Sequence, residues 1–94
     1  MRVLIADDSA LIREGLRLVL EEADHEVVGT AATGTELVVR ALELRPDLVI
    51  SDIRMPPSHT DEGLRAAQEI RRSWPEAPIV LLSQYVVVDR KSVV

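Results

Sequence analysis

The chain has 94 residues, enough for one domain and no more. A formal net charge of −5 and a pI near 4.9 argue against direct binding to a phosphate backbone, which rests on a basic surface, and the lack of cysteine excludes disulfides and thiolate metal sites. Hydrophobic residues make up 47% of the chain with no Phe, one Trp and one Tyr; branched aliphatics must therefore fill the core, which suits a parallel sheet packed under helices.

The first expected strand is Arg2-Val3-Leu4-Ile5-Ala6, and it ends on Asp7-Asp8. The N-terminus leads straight into it without a signal-peptide layout, and no apolar run approaches the roughly 20 residues of a membrane span, so a cytoplasmic protein without membrane association is expected. Residues 9–22 then carry Leu11, Ile12, Gly15, Leu16, Val19 and Leu20 at helical spacing, opposite Arg13, Glu14, Arg17, Glu21 and Glu22. Ser9 suits the N-cap. A short second strand, residues 25–31, precedes a helix that opens near Thr33–Glu36 and stops at Arg45-Pro46. His25 reads as a surface residue at the start of that strand.

The third strand, Leu48–Asp52, again ends on a carboxylate. Prolines and small polar residues mark 55–63 as a loop, in which His59 reads as an exposed histidine rather than a phosphate or metal ligand. A third helix spans about residues 61–73 with Leu64, Ala67 and Ile70 inward, and Trp74 covers its end; Gly63 and Gly29 read as backbone accommodations. The fourth strand, Ile79–Leu82, ends at Ser83. This β-α-β-α-β-α-β alternation predicts an α/β three-layer sandwich on a parallel sheet with right-handed crossovers.

Parallel strands point their carboxyl ends to one edge, so Asp7, Asp8, Asp52 and Ser83 converge there. Crowded carboxylates raise one another's pKa unless a cation lies among them, and oxygen donors without sulfur or imidazole favour a hard ion such as Mg²⁺. Taken singly, each Asp is equally consistent with a helix cap or a turn; the cation reading rests on all of them together.

These motifs, Val3–Ser9, Pro46–Pro56 and Pro78–Ser83, resemble the receiver domain of bacterial two-component response regulators. The wording around Asp8-Ser9 and Asp52–Pro56 is most like regulators with a LuxR/NarL-type output domain. The resemblance implies a flavodoxin-like receiver fold with strand order 2-1-3-4, covering residues 1–94, well matched over 1–83 and irregular or rearranged over 84–94. It implies that Asp52 accepts a phosphoryl group from a sensor histidine kinase. Asp8 would hold Mg²⁺ directly, Asp7 largely through water, and Asp52 and the backbone carbonyl of Arg54 would complete the site. Ser83 would be the switch hydroxyl. The implied output, control of transcription, would reach DNA only through a domain absent from this chain. The expectation is a signalling switch and not an enzyme.

The family pattern departs at the C-terminal end. A full receiver has a fifth βα unit whose strand ends in a lysine, and the one lysine here, Lys91, lies eight residues after Ser83. A missing unit leaves apolar sheet surface for a homodimer or strand-exchanged oligomer, to which Tyr85–Val88 and Val93-Val94 could contribute. The alternative is a receiver-like module working by protein contact without phosphorylation. A phosphohydrolase of haloacid-dehalogenase type would need a second Asp two residues beyond the nucleophile, where Arg54 stands.

Overall fold

A computed structural model describes residues 1–83. It comprises β1 (Arg2–Ala6), α1 (Ala10–Glu22), β2 (Glu26–Ala31), α2 (Gly34–Leu44), β3 (Leu48–Asp52), α3 (Glu62–Ser73) and β4 (Ile79–Leu82). The expected boundaries hold to within a residue or two. Tyr85–Val88, Lys91 and Val93-Val94 lie outside the described residues, and no fifth βα unit occurs among those described.

Local chemistry sets the helix ends. Ser9 caps α1, its Oγ accepting from the Ile12 N–H at 3.2 Å. Thr33 caps α2 in the same way through the Glu36 N–H at 3.1 Å. The C-terminal end of α2 closes with Arg45 in the left-handed region, φ 46, which turns the chain into Pro46. The Arg45 guanidinium lies 4.8 Å over the Trp74 ring and joins this turn to the end of α3.

The four strands pair in parallel in the order β2-β1-β3-β4. The chain steps from β1 to β2 in one direction and from β2 to β3 to β4 in the other. Right-handed crossovers then place α1 on one face and α2 and α3 on the other. On the α2–α3 side, Leu4, Ala6 and Val49 pack with Leu37, Ala41, Met55, Ala66 and Ile70 in one buried cluster. The α1 side is less covered. Helix α1 has no buried residue, and its Leu11, Leu18 and Val19 are exposed, as are Val80 and Leu82 on β4. The apolar stripe of α1 is thus present as expected but only partly roofed by β1 and β2.

The strand order reverses between β1 and its neighbours. In open α/β sheets the crevice outside the carboxyl ends of the strands at such a switch point receives ligands. Asp7 and Asp8 follow β1 and Asp52 closes β3, so the acidic residues stand at that crevice. No helix among the described residues is long and apolar enough to cross a membrane.

Candidate functional site

Asp7 is held from both sides of its backbone. Its N–H donates to the Ala31 carbonyl at 3.0 Å, and its own carbonyl accepts from Arg13 Nη1 at 2.7 Å. Its Oδ1 accepts the Ser9 N–H at 2.9 Å, which turns the chain from β1 into α1. Asp52 is fixed by its place in β3, beside Leu82 of β4, and its Oδ1 accepts the Arg54 N–H at 3.2 Å. Asp7 and Asp52 are buried, and Asp8 is exposed at the mouth. One carboxylate oxygen from each of the three residues lies within 4.8 Å of the others.

Burial raises the Asp7 pKa above the usual carboxylate value, and the charges of Asp52 and Asp8 raise it further against the opposing pull of the Ser9 N–H. The sign follows by linkage. A raised native pKa means that the folded protein binds the proton more tightly than the unfolded chain. The ionised group therefore destabilises the metal-free fold at neutral pH, and this penalty fades as pH falls through the raised pKa towards 3.8. Asp7→Asn keeps an acceptor for Ser9 and removes the charge. In EDTA it is expected to raise the melting temperature at about pH 7, by a few degrees if the relief is ~1 kcal/mol, and to lose that advantage at about pH 4. An unchanged or lower midpoint for Asp7→Asn at neutral pH would contradict this.

The loop after β3 rises over the site. Met55 anchors it by complete burial, and the His59 N–H donates to the Met55 carbonyl at 2.9 Å. Glu62 clasps the loop from α3. Its carboxylate accepts the Ser58 hydroxyl, the Ser58 N–H at 2.9 Å and the Thr60 N–H at 3.1 Å. These bonds, the Ser58 hydroxyl first, lower the Glu62 pKa to about 2. His59 sits in the left-handed region with φ 56, and its Nε2 lies 3.2 Å from Asp8 Oδ2.

The expected residues therefore fall into two groups. Asp7, Asp8 and Asp52 are brought together. Arg54 stands two residues beyond Asp52, with its backbone N–H already on that carboxylate, and Ser83 follows Leu82 at the carboxyl edge of β4. Lys91 lies outside the described residues. His59 is the site neighbour that sequence reasoning set aside. It is exposed, as expected, yet it reaches across 51 positions to Asp8; its only sequence signal is that the loop carrying it leaves the strand of Asp52.

The donor chemistry suits a hard divalent cation, since three carboxylates converge and the ionised form of one of them is disfavoured by burial and by the others' charge. This acidic cluster is of the kind typical of Mg²⁺-binding receiver domains.

A family model described as "Response regulator receiver domain" matches residues 3–93. The oxygen regulatory protein NreC of Staphylococcus epidermidis is 43% identical over 86 residues, covering 90% of this chain and 38% of that protein. The chain thus spans well under half the length of this curated relative. Among solved structures, a LuxR-family two-component response regulator from Aurantimonas sp. SI85-9A1 superposes with a TM-score of 0.81 at 28% identity, covering 90% of this chain and 59% of the other. A CheX-CheY-BeF3-Mg+2 complex from Borrelia burgdorferi gives 0.81 at 28% identity, covering 88% and 61%.

The expectation that the chain is not an enzyme is overturned by the acidic cluster. Three convergent carboxylates at the switch crevice indicate a catalytic phosphoacceptor site and not a non-enzymatic module. The sequence reading took the chain for a switch that catalyses its own phosphorylation and dephosphorylation and set it apart from enzymes on that ground, whereas a centre that modifies its own carboxylate is also catalytic.

Proposed function

The chain belongs to the response regulator receiver domain family, and from that premise we propose that Asp52 is the phosphoacceptor of a Mg²⁺-dependent signalling switch. The observation that carries the reading is the meeting of Asp7, Asp8 and Asp52 oxygens within 4.8 Å at the carboxyl ends of β1 and β3. Asp8, Asp52 and the Arg54 carbonyl would hold the ion directly, and Asp7 would act largely through water. Bound Mg²⁺ supplies charge neutralisation between a carboxylate and an anionic phosphoryl group that otherwise repel.

The chain's own residues do the rest. An Asp52 carboxylate oxygen attacks phosphorus, and the bond to the donor's leaving group breaks with its electron pair going to that group. The Arg54 N–H on Oδ1 orients the carboxylate. Ser83, at the edge of β4, supplies the hydroxyl that answers the new charge. A sensor histidine kinase is the physiological donor, and control of transcription is exerted through an output domain. Acetyl phosphate with Mg²⁺ is expected to add one phosphoryl group to the protein, and chelation by EDTA to prevent it; an unmodified mass would contradict the proposal.

The open α1 side favours self-association as well. Leu11, Leu18 and Val19 of α1 and Val80 and Leu82 of β4 expose apolar surface on the described part of the domain. A second copy buries it in an isologous dimer. Sedimentation equilibrium is expected to show a concentration-dependent dimer that Leu18→Glu weakens at least about tenfold, the scale of a buried apolar side chain. A monomer at every concentration would contradict it.

A further inference from the structure

Two of the three carboxylates at the crevice are held by the backbone that follows them. Asp7 Oδ1 accepts the Ser9 N–H at 2.9 Å, and Asp52 Oδ1 accepts the Arg54 N–H at 3.2 Å, in each case from two residues on. Asp8 has no such backbone bond among the described residues. Its side chain is 35% exposed, so packing alone leaves it rotamers to sample. The bond it does make comes from across the crevice, where His59 Nε2 lies 3.2 Å from Oδ2. A carboxylate only accepts, so Nε2 carries the proton in this contact and offers no lone pair to an ion.

The imidazole is itself set in place by the loop. His59 lies in the left-handed region, φ 56, with its N–H on the Met55 carbonyl. Its two neighbours, Ser58 and Thr60, are both bonded to the Glu62 carboxylate at the start of α3. A continuous line of hydrogen bonds and one residue of backbone therefore joins the first turn of α3 to Asp8.

We propose that His59 is a positioning residue that holds the Asp8 carboxylate at the crevice before the ion arrives, and that the Glu62 clasp holds His59. Fixing a donor in advance removes part of the ordering cost of binding, and partners hydrogen-bonded to a metal ligand support affinity without touching the ion. The inference rests on the receiver reading for the existence of the ion site and adds the residues that prepare it. A ring that merely obstructed Asp8 would act with the opposite sign.

Calorimetric titration with MgCl₂ tests it in the wild type, His59→Ala and His59→Gln, with circular dichroism confirming the fold. His59→Ala is expected to weaken Mg²⁺ binding by about tenfold, the lower end for a supporting partner because the bond is exposed. His59→Gln, whose amide can still donate to Asp8, is expected to stay within about threefold of wild type. Glu62→Ala is expected to weaken binding in the wild type but to add little in the His59→Ala background, since both act through one bond. Unchanged or tighter binding by His59→Ala, or an equal loss in the Ala and Gln variants, would overturn the role of His59 while leaving the ion site intact. A full second loss in the double variant would overturn the part given to Glu62. Absence of Mg²⁺ binding in the wild type would overturn the ion site itself, and the inference with it.

Discussion

Gly63→Ala is expected to cost more than ~3 kcal/mol and to lower the melting temperature by on the order of 10–20 °C. A methyl group built on Gly63 would sit 1.9 Å from the carbonyl oxygen of Asp52 and 2.9 Å from both the Asp52 carbonyl carbon and the Ile53 Cα. Those atoms are backbone at the end of a central strand and cannot swing aside as a side-chain tip would. The Gly63 N–H also donates to the Ile53 carbonyl at 2.8 Å, so α3 begins in direct contact with the end of β3. Typical overpacking costs ~1–3 kcal/mol, and this approach lies at the severe end. Since whole domains are stable by only about 5–15 kcal/mol, much of the margin would go. The shift would also displace the backbone carrying Asp52, so metal binding is expected to weaken together with stability. Thermal unfolding followed by circular dichroism checks this, and a cost under ~1 kcal/mol would show that the close approach is not a constraint.

The second large effect is on the ion. Asp8→Asn is expected to reduce Mg²⁺ affinity by more than about 100-fold, because removing even a supporting partner of a metal ligand costs roughly 10–100-fold and Asp8 is proposed as a direct one. The change keeps the size and polarity of an exposed side chain, so the fold is expected to remain. Asp7 and Asp52 would still repel each other, but the pair lacks the charge that draws a divalent ion to the mouth of the crevice. Calorimetric titration with MgCl₂ measures the loss. An affinity within about threefold of wild type would remove Asp8 from the ligand set proposed here.

The strands and the meeting of their carboxylates were legible in the sequence for a physical reason. Val3–Ala6 and Leu48–Ser51 are apolar runs separated by amphipathic helices, and that alternation predicts a parallel sheet whose strands end at one edge; the order that sets β1 beside β3 was implied by the family resemblance. Helical periodicity, by contrast, tells which residues of α1 share a face and not what covers that face, so the exposure of Leu11, Leu18 and Val19 could not be read from it. Gly63 shows the same limit. A glycine was visible, but its need comes from a carbonyl eleven positions away, brought close only by the β3–α3 connection. Asp61 was expected inside the third helix; it instead precedes α3 without a side-chain cap bond, while its carboxylate pairs with Arg65 at 3.1 Å. His59 was hardest to see, because its contact with Asp8 depends on a left-handed turn in a loop of no periodicity.

The central claim is that Asp52 takes a phosphoryl group at a metal-assisted carboxylate centre. Intact-mass measurement after treatment with acetyl phosphate and Mg²⁺, in the wild type and in Asp52→Asn, tests it most directly. The account predicts one added phosphoryl group in the wild type, lost with EDTA and absent from Asp52→Asn. An adduct that persists in Asp52→Asn, or a wild-type protein that stays unmodified, would contradict it.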